Sequence, residues 1–384
     1  MAPQEYPGST RVQSVDILRG VIVVLMAADH VRVYSGLPAG GPEPSIFFTR
    51  WITHFCAPGF VFLAGTGAFF YGKKLGNTRT LARFLLSRGL LLVFLELTLI
   101  RFGWTFNFNY GEFVLAGVIW MLGWCMVILS FLVAMRPVTV GITGLAIVFF
   151  QQLFALVPKA MPESLKPSLG GFWEFIYSSG LAPWPWISVL YVLVPWIGVM
   201  AAGYGFGTIL STDADTRRKL CLRIGITATL LFIVIGSTLI LFRPNPAGPP
   251  FIFRLLAQQK YPASQLFLLM TLGPMIALIP SAEKAKGRVA SILTTFGRVP
   301  FFYYLLHIPL IHASALIVNY IRDGSLHQEW YTSAPFSFVP QESRWTLSLL
   351  YLVFIIDVAI LYAACRWYVS YKFSHPSNKI LKYI

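Results

Sequence analysis

The fold class that this sequence predicts is all-α: a polytopic transmembrane helix bundle of about ten spans. Three observations carry that expectation. Of 384 residues, 56% are hydrophobic and only 12% are charged, against roughly 25% charged in ordinary soluble domains. Apolar runs long enough to cross a bilayer recur from end to end. The segments between them alternate between short basic loops and longer ones rich in Pro, Gly and aromatic residues. No polar interval is long enough for a separate soluble domain. Residues 1–384 therefore read as one integral-membrane domain, with a short segment at 1–14 and a short basic tail at 367–384.

The expected spans are 15–34, 51–71, 81–101, 112–134, 138–157, 185–209, 222–242, 264–280, 297–320 and 345–366, or eleven if one doubtful break divides a run. The first, in SVDILRGVIVVLMAADHVRVY, opens with Asp16 and Arg19 on one helical face. Asp29 and His30 then appear before the run ends, roughly 20 Å along the helix from Asp16. Segment 264–280 is short and contains Pro274, so a tilted, broken or partly re-entrant helix is expected there. Trp184 and Trp186 before the sixth span, and Trp345 before the tenth, read as interfacial anchors. Gly65, Gly67, Gly203, Gly205 and Gly207 allow close helix approach.

The basic loops carry Lys73, Lys74 and Arg79; Arg136; Arg217, Arg218 and Lys219; and Lys284, Lys286 and Arg288. The tail adds Arg366, Lys372, Lys379 and Lys382. The positive-inside rule makes these cytoplasmic, with both termini inside and loops 35–50, 158–184, 243–263 and 321–344 outside. The net charge of +15 is scattered among loops, which fits topology and contact with anionic membrane lipids and excludes a nucleic-acid reading. Cys56, Cys125, Cys221 and Cys365 form no close pair and read as buried small hydrophobes, with no disulfide or metal framework. The N-terminus lacks a signal-peptide pattern, so the first run is expected to remain as a helix.

Polar residues sort by depth. Toward the outer side lie Asp29 and His30, Arg50 and His54, Arg101, and Arg254, Lys260 and Tyr261. Glu96, His307 and Asp357 are deeper. His307 and His312 are about 140° apart around a helix and do not form an obvious metal pair. Ionisable residues in such positions mark a functional site by default. Imidazoles with an aspartate and several cations fit proton transfer beside an anionic or oxyanionic ligand. Each also has a structural reading. Asp29 or His30 would be a buried hydrogen-bonding group, His54 an interfacial one, and His307 a partner for a carbonyl freed by Pro309. Asp16 with Arg19 would be a surface ion pair, and Glu96 and Asp357 would each pair with a basic residue.

Asp16, Leu18-Arg19-Gly20 and then His30 resemble the opening signature of the transmembrane acyltransferases. With RWITHFCAPGFVFLAG, the KYP at 260–262 and GRVPFFYYLLHIPLIH, the pattern over essentially the whole chain resembles the heparan-alpha-glucosaminide N-acetyltransferase catalytic domain and its bacterial relatives. The resemblance implies a bundle of ten to eleven helices in the bacterial cytoplasmic (inner) membrane. It implies transfer of an acyl group, typically acetyl, from cytoplasmic acetyl-CoA or another acyl-CoA to a sugar, glycan or glycolipid acceptor at the outer face, and the lysosomal relative implies a homodimer.

His30 corresponds to the first-helix histidine of the acyltransferases, with Asp29 beside it. The lysosomal enzyme has asparagine at the position of His30 and draws a histidine from the loop beyond, whereas 35–50 here contains none. The expected catalytic set is His30 as general base, Asp29 and His54. Arg19, Lys73, Lys74 and Arg79 are expected to receive the nucleotide end of the donor, although no glycine-rich phosphate loop supports them. Arg50, Arg101, Arg254, Lys260, Tyr261, His307 and His312 are expected to line the acceptor site. No metal is expected. The alternatives are a proton-coupled transporter or lipid flippase, and a non-catalytic membrane protein retaining the fold.

Overall fold

The structure is a computed structural model that describes residues 13–40, 43–178, 186–243, 245, 248–375, 377–378, 381 and 383. The segment before Gln13, Trp184, Lys379 and Lys382 lie outside the described residues. Helix dominates throughout. The first helix, α1 (Gln13–Tyr34), is the hub. Four charged residues, Asp16, Arg19, Asp29 and Arg32, would make it costly in lipid. Other helices surround it instead, and Asp16, Val23, Ala27 and Tyr34 are all buried.

The second expected span lies within one longer helical run, Pro44–Leu75. A helix at Pro44–Trp51 passes through a tight turn at Ile52–Phe55 into α2 (Cys56–Leu75). Pro58 is tolerated because it stands in the first turn of α2, where its missing N–H has no intrahelical partner to lose. Helix α3 (Thr78–Leu95) is capped by the Asn77 side chain, which accepts from the Thr80 backbone N–H at 3.0 Å. It widens into a π-helical turn at Glu96–Ile100 before Arg101–Thr105.

Two expected spans start late, and the all-α expectation needs correcting there. Strand β1 (Val114–Ala116) pairs in parallel with β2 (Ile187–Val189), and only then do α4 (Val118–Leu132) and α6 (Trp196–Leu210) begin. Gly117 and Pro195 separate strand from helix, and the two short extended segments satisfy each other's backbone groups inside the protein. Between them, α5 (Pro137–Phe149) continues into shorter helical turns through Ala160 with a bend of 53°.

Helix α7 (Ala214–Phe242) runs along the outside, exposing Leu230, Val234, Leu241 and Phe242, and packs on α8 (Gln265–Lys284). Helix α8 is continuous despite Pro274 and Pro280, so the expected break at 264–280 is absent. The expected span 297–320 is α10 (Pro300–Asp323); a separate helix, α9 (Arg288–Arg298), precedes it, and the two part at Val299 because Pro300 disfavours helical backbone in the residue before it. The last helix is α11 (Leu347–Ser374).

Helix α1 touches α2, α8, α9, α10 and α11. Its contact with α9 is backbone to backbone: a Cβ on Gly20 would lie 2.0 Å from Leu293 O, and one on Gly297 would lie 1.7 Å from Asp16 O. Only glycine fits at either position. The same holds where α2 meets α6, at Gly65 against Met200 and Gly203 against Phe62, as the small-residue pattern predicts. All four cysteines are free and buried. Five helices are long and apolar enough to cross a membrane, or six if the bent pair at Pro137–Ala160 counts as one span. Helices α4 and α6 are apolar but only 15 residues each, and α1 carries too many charges to qualify by composition.

Candidate active site

Asp29 and His30 occupy the last turns of α1, and consecutive helical residues point about 100° apart. Asp29 therefore turns to two guanidiniums. Its Oδ1 accepts from Arg32 Nε and its Oδ2 from Arg50 Nη1, each at 3.1 Å. Arg50 Nη1 also donates to Thr53 Oγ1 at 3.2 Å, and Arg32 Nη1 to Leu37 O at 2.9 Å. His30 turns the other way, toward α10. Its Nδ1 lies 2.7 Å from His307 Nε2, and His307 Nδ1 lies 2.6 Å from the Tyr304 carbonyl.

The carbonyl fixes the protons. Tyr304 O can only accept, so His307 Nδ1 must donate to it. In a neutral His307 the Nε2 then carries the lone pair, and His30 Nδ1 must donate to that. A neutral His30 is left with its lone pair on Nε2, the form a general base needs. The Trp104 ring packs edgewise at 4.7 Å and restrains the His30 imidazole further.

His30 opens on a cavity of about 380 Å³ whose wall includes Asp29, Arg50, Trp104, Lys260 and Tyr261. A second cavity, of about 340 Å³, lies toward the start of α1 and is lined by Arg19, Arg88, Arg298 and Lys372 among apolar residues. Val118 and Tyr304 belong to the walls of both. Arg19 and His30, one in each cavity, stand about 16 Å apart along α1.

Not every expected residue joins these walls. His54 sits in the tight turn before α2, packs its ring 5.4 Å from Phe267, and is absent from the wall around His30. The helix before that turn presents Arg50 to Asp29, and Thr53 in the turn accepts from Arg50, so a cavity shared by the two histidines is not what forms. Arg101 is buried and spent on the loop after α3. It donates to Phe113 O (2.9 Å), Thr105 Oγ1 (3.0 Å), Asn109 O (2.8 Å) and the backbone and side-chain oxygens of Asn107. Arg254 donates to Arg243 O at 2.7 Å, holding the end of α7.

His312 stacks on Phe106 at 3.9 Å and lies within hydrogen-bond distance of Gly103 O and Gln328 Oε1, away from both cavities. His307 stands behind His30, where it orients the imidazole without meeting the cavity. Lys73, Lys74 and Arg79 are exposed where α2 ends and α3 begins, outside the walls of the second cavity. Among the described residues, Glu96 and Asp357 pair with no cation. Glu96 accepts from the Ile119 N–H at 3.1 Å, capping α4, and Ser314 donates to Asp357 at 2.7 Å. Asp16 and Arg19 form the expected pair at 3.9 Å.

Sequence reasoning missed Arg88, Arg298 and Lys372 as a cluster and Arg32 as the second partner of Asp29. The last had a signal, the i,i+3 spacing on α1. The cluster had none, because its members come from three separate helices.

A family model described as Heparan-alpha-glucosaminide N-acetyltransferase, catalytic, matches residues 11–242. The chain belongs to that family. The heparan-alpha-glucosaminide N-acetyltransferase match takes in Asp29, His30, Arg50 and Trp104 and ends before Lys260 and His307. Membership in this acetyltransferase family, together with the apolar helices, supports an integral membrane transferase. No curated protein matches the chain.

Proposed function

We propose that the protein moves an acyl group, acetyl in the first instance, from acyl-CoA to a hydroxyl or amine of a sugar or glycan-like acceptor. The observation that carries this reading is the pair of abutting cavities, one mouth lined by four cations and the other holding His30. Acyl-CoA binds its phosphates near Arg19, Arg88, Arg298 and Lys372, and its thioester arm runs past Val118 and Tyr304. The acceptor occupies the His30 cavity. The cationic mouth faces the cytoplasm under the positive-inside rule, with both chain termini on that side of a bacterial inner membrane and the acceptor outside.

His30 Nε2 takes the acceptor proton as the acceptor oxygen or nitrogen bonds to the thioester carbonyl carbon. The C–S bond then breaks, and the departing thiolate recovers the proton from the imidazolium. His307 keeps the His30 lone pair on Nε2, and Asp29 holds Arg50 in the wall. Direct transfer asks only for a positioned base and juxtaposed substrates.

Purified full-length protein is expected to release thiol from acetyl-CoA only when an amino-sugar acceptor is present. His30→Ala is expected to lose roughly 100-fold in turnover at saturating substrates while remaining monodisperse. Near-normal turnover in that variant would sink the assignment.

A further inference from the structure

We propose that Lys260 and Arg50 form an anion-binding subsite beside His30, so that the acceptor carries a phosphate or a carboxylate. The inference rests on the acyltransferase reading for treating this cavity as the acceptor site, and on the following geometry for the chemistry of the ligand.

Lys260 is only 7% exposed, yet it lines the cavity. Its Nζ sits 5.8 Å from the centre of the Tyr191 ring and 5.2 Å from that of Tyr261. Two aromatic faces hold an ammonium in place without neutralising it. Among the described residues no oxygen accepts from Nζ, and no carboxylate comes within ion-pair distance. A buried cation without a counter-ion is expensive. Nearby, Arg50 commits Nη1 to Asp29 and Thr53 but leaves its buried Nε without an acceptor. Lys260 Nζ therefore faces the cavity without an acceptor from the described residues, beside an Arg50 whose enclosed Nε is also unpaired.

Charge points the same way. The cavity wall holds three basic side chains, Arg32, Arg50 and Lys260, and two carboxyl groups, Asp29 and Glu96. Even with both carboxyls ionised, one positive charge remains. Asp29 is already shared between two guanidiniums, and Glu96 caps α4. Lys260 therefore awaits an anion from outside the chain. Trp104, Tyr191 and Tyr261 offer ring faces in the same wall, and a volume of about 380 Å³ suits a sugar-sized ligand.

The test uses the full-length chain in detergent with acetyl-CoA and four acceptors: glucosamine, glucosamine 6-phosphate, muramic acid, and an amino-sugar phospholipid in vesicles. The three anionic acceptors are expected to exceed glucosamine in kcat/KM by about 10- to 100-fold, the scale of a charged hydrogen bond. Lys260→Gln is expected to collapse that ratio by about 10-fold or more, and Lys260→Arg to keep it. A better rate for the free or for the vesicle-borne phosphate supports the subsite and identifies its source. Equal use of neutral and anionic acceptors by the wild-type protein overturns the proposal. So does a Lys260→Gln loss in kcat of the same factor on all four, which would place the lysine on the reaction's oxyanion.

Calorimetric titration with glucosamine 6-phosphate in the absence of donor separates the two readings. Binding weakened at least about 10-fold by Lys260→Gln, with no acyl transfer to any acceptor, keeps the subsite and removes the acyltransferase. Transfer without discrimination does the reverse. The wild-type comparison decides the matter even where the variant does not fold.

Discussion

Replacing His307 by leucine removes the acceptor for the His30 Nδ1 proton while leaving His30 itself in place. The 2.7 Å contact between the rings is lost, and a buried donor is left without a partner. Leaving such a donor unsatisfied costs about 1–3 kcal/mol. The imidazole escapes that cost by moving its proton to Nε2 or by turning its ring, and either removes the lone pair from the cavity. If the penalty falls on the productive tautomer alone, turnover is expected to drop by about 5- to 150-fold, at 1.36 kcal/mol per tenfold. KM for acetyl-CoA should hardly change, because His307 lines neither cavity.

His307→Gln supplies a control. Its carboxamide oxygen can accept from His30 Nδ1, so much of the lost turnover should return. The assay is steady-state acyl transfer at saturating donor and acceptor, with size-exclusion profiles of each variant alongside. A His307→Leu protein that is monodisperse and works within twofold of wild type, while His30→Ala does not, would refute the tautomer argument.

Two further outcomes follow from the packing and the second cavity. Gly297→Ala drives a Cβ to within 1.7 Å of Asp16 O, a backbone atom in the hub helix that cannot step aside. It is expected to destabilise the protein by about 1–3 kcal/mol or more, read as a lower thermal unfolding midpoint in detergent; an unchanged midpoint means that α1 and α9 do not meet as described. Charge reversal at Lys372 or Arg298 is expected to raise KM for acetyl-CoA roughly tenfold, by loss of a charge-assisted phosphate contact. The double reversal Lys73→Glu/Lys74→Glu should do markedly less, since neither lysine lines the cavity, and equal effects would move the donor entrance to the end of α2.

Much of the helical layout was legible in the chain. Apolar runs gave α1 and α10 closely and the apolar parts of α7 and α11, because lipid-facing and bundle-facing helices both need long apolar stretches. Hydropathy could not see the extended segments before α4 and α6, since a short buried strand and the first turn of a buried helix are equally apolar. It also passed over α9, whose mixed polar and apolar residues make no membrane-length apolar run.

In the candidate site, residue order alone tells that α1 carries an ionisable pair too costly for lipid, and that a histidine helix follows late in the chain. It also placed Arg50 and Lys260 among the cations near that pair. The tertiary structure alone decided which of these residues meet. His30 finds His307 across 277 residues of sequence, while Arg101, Arg254 and His312 turn to nearby backbone or side-chain acceptors instead. The reason is physical. A polar residue's type fixes what it must bond to, but the partner is set by rotation about each helix axis and by the packing of neighbours, and single-glycine contacts such as Gly20 and Gly297 set that packing at backbone range.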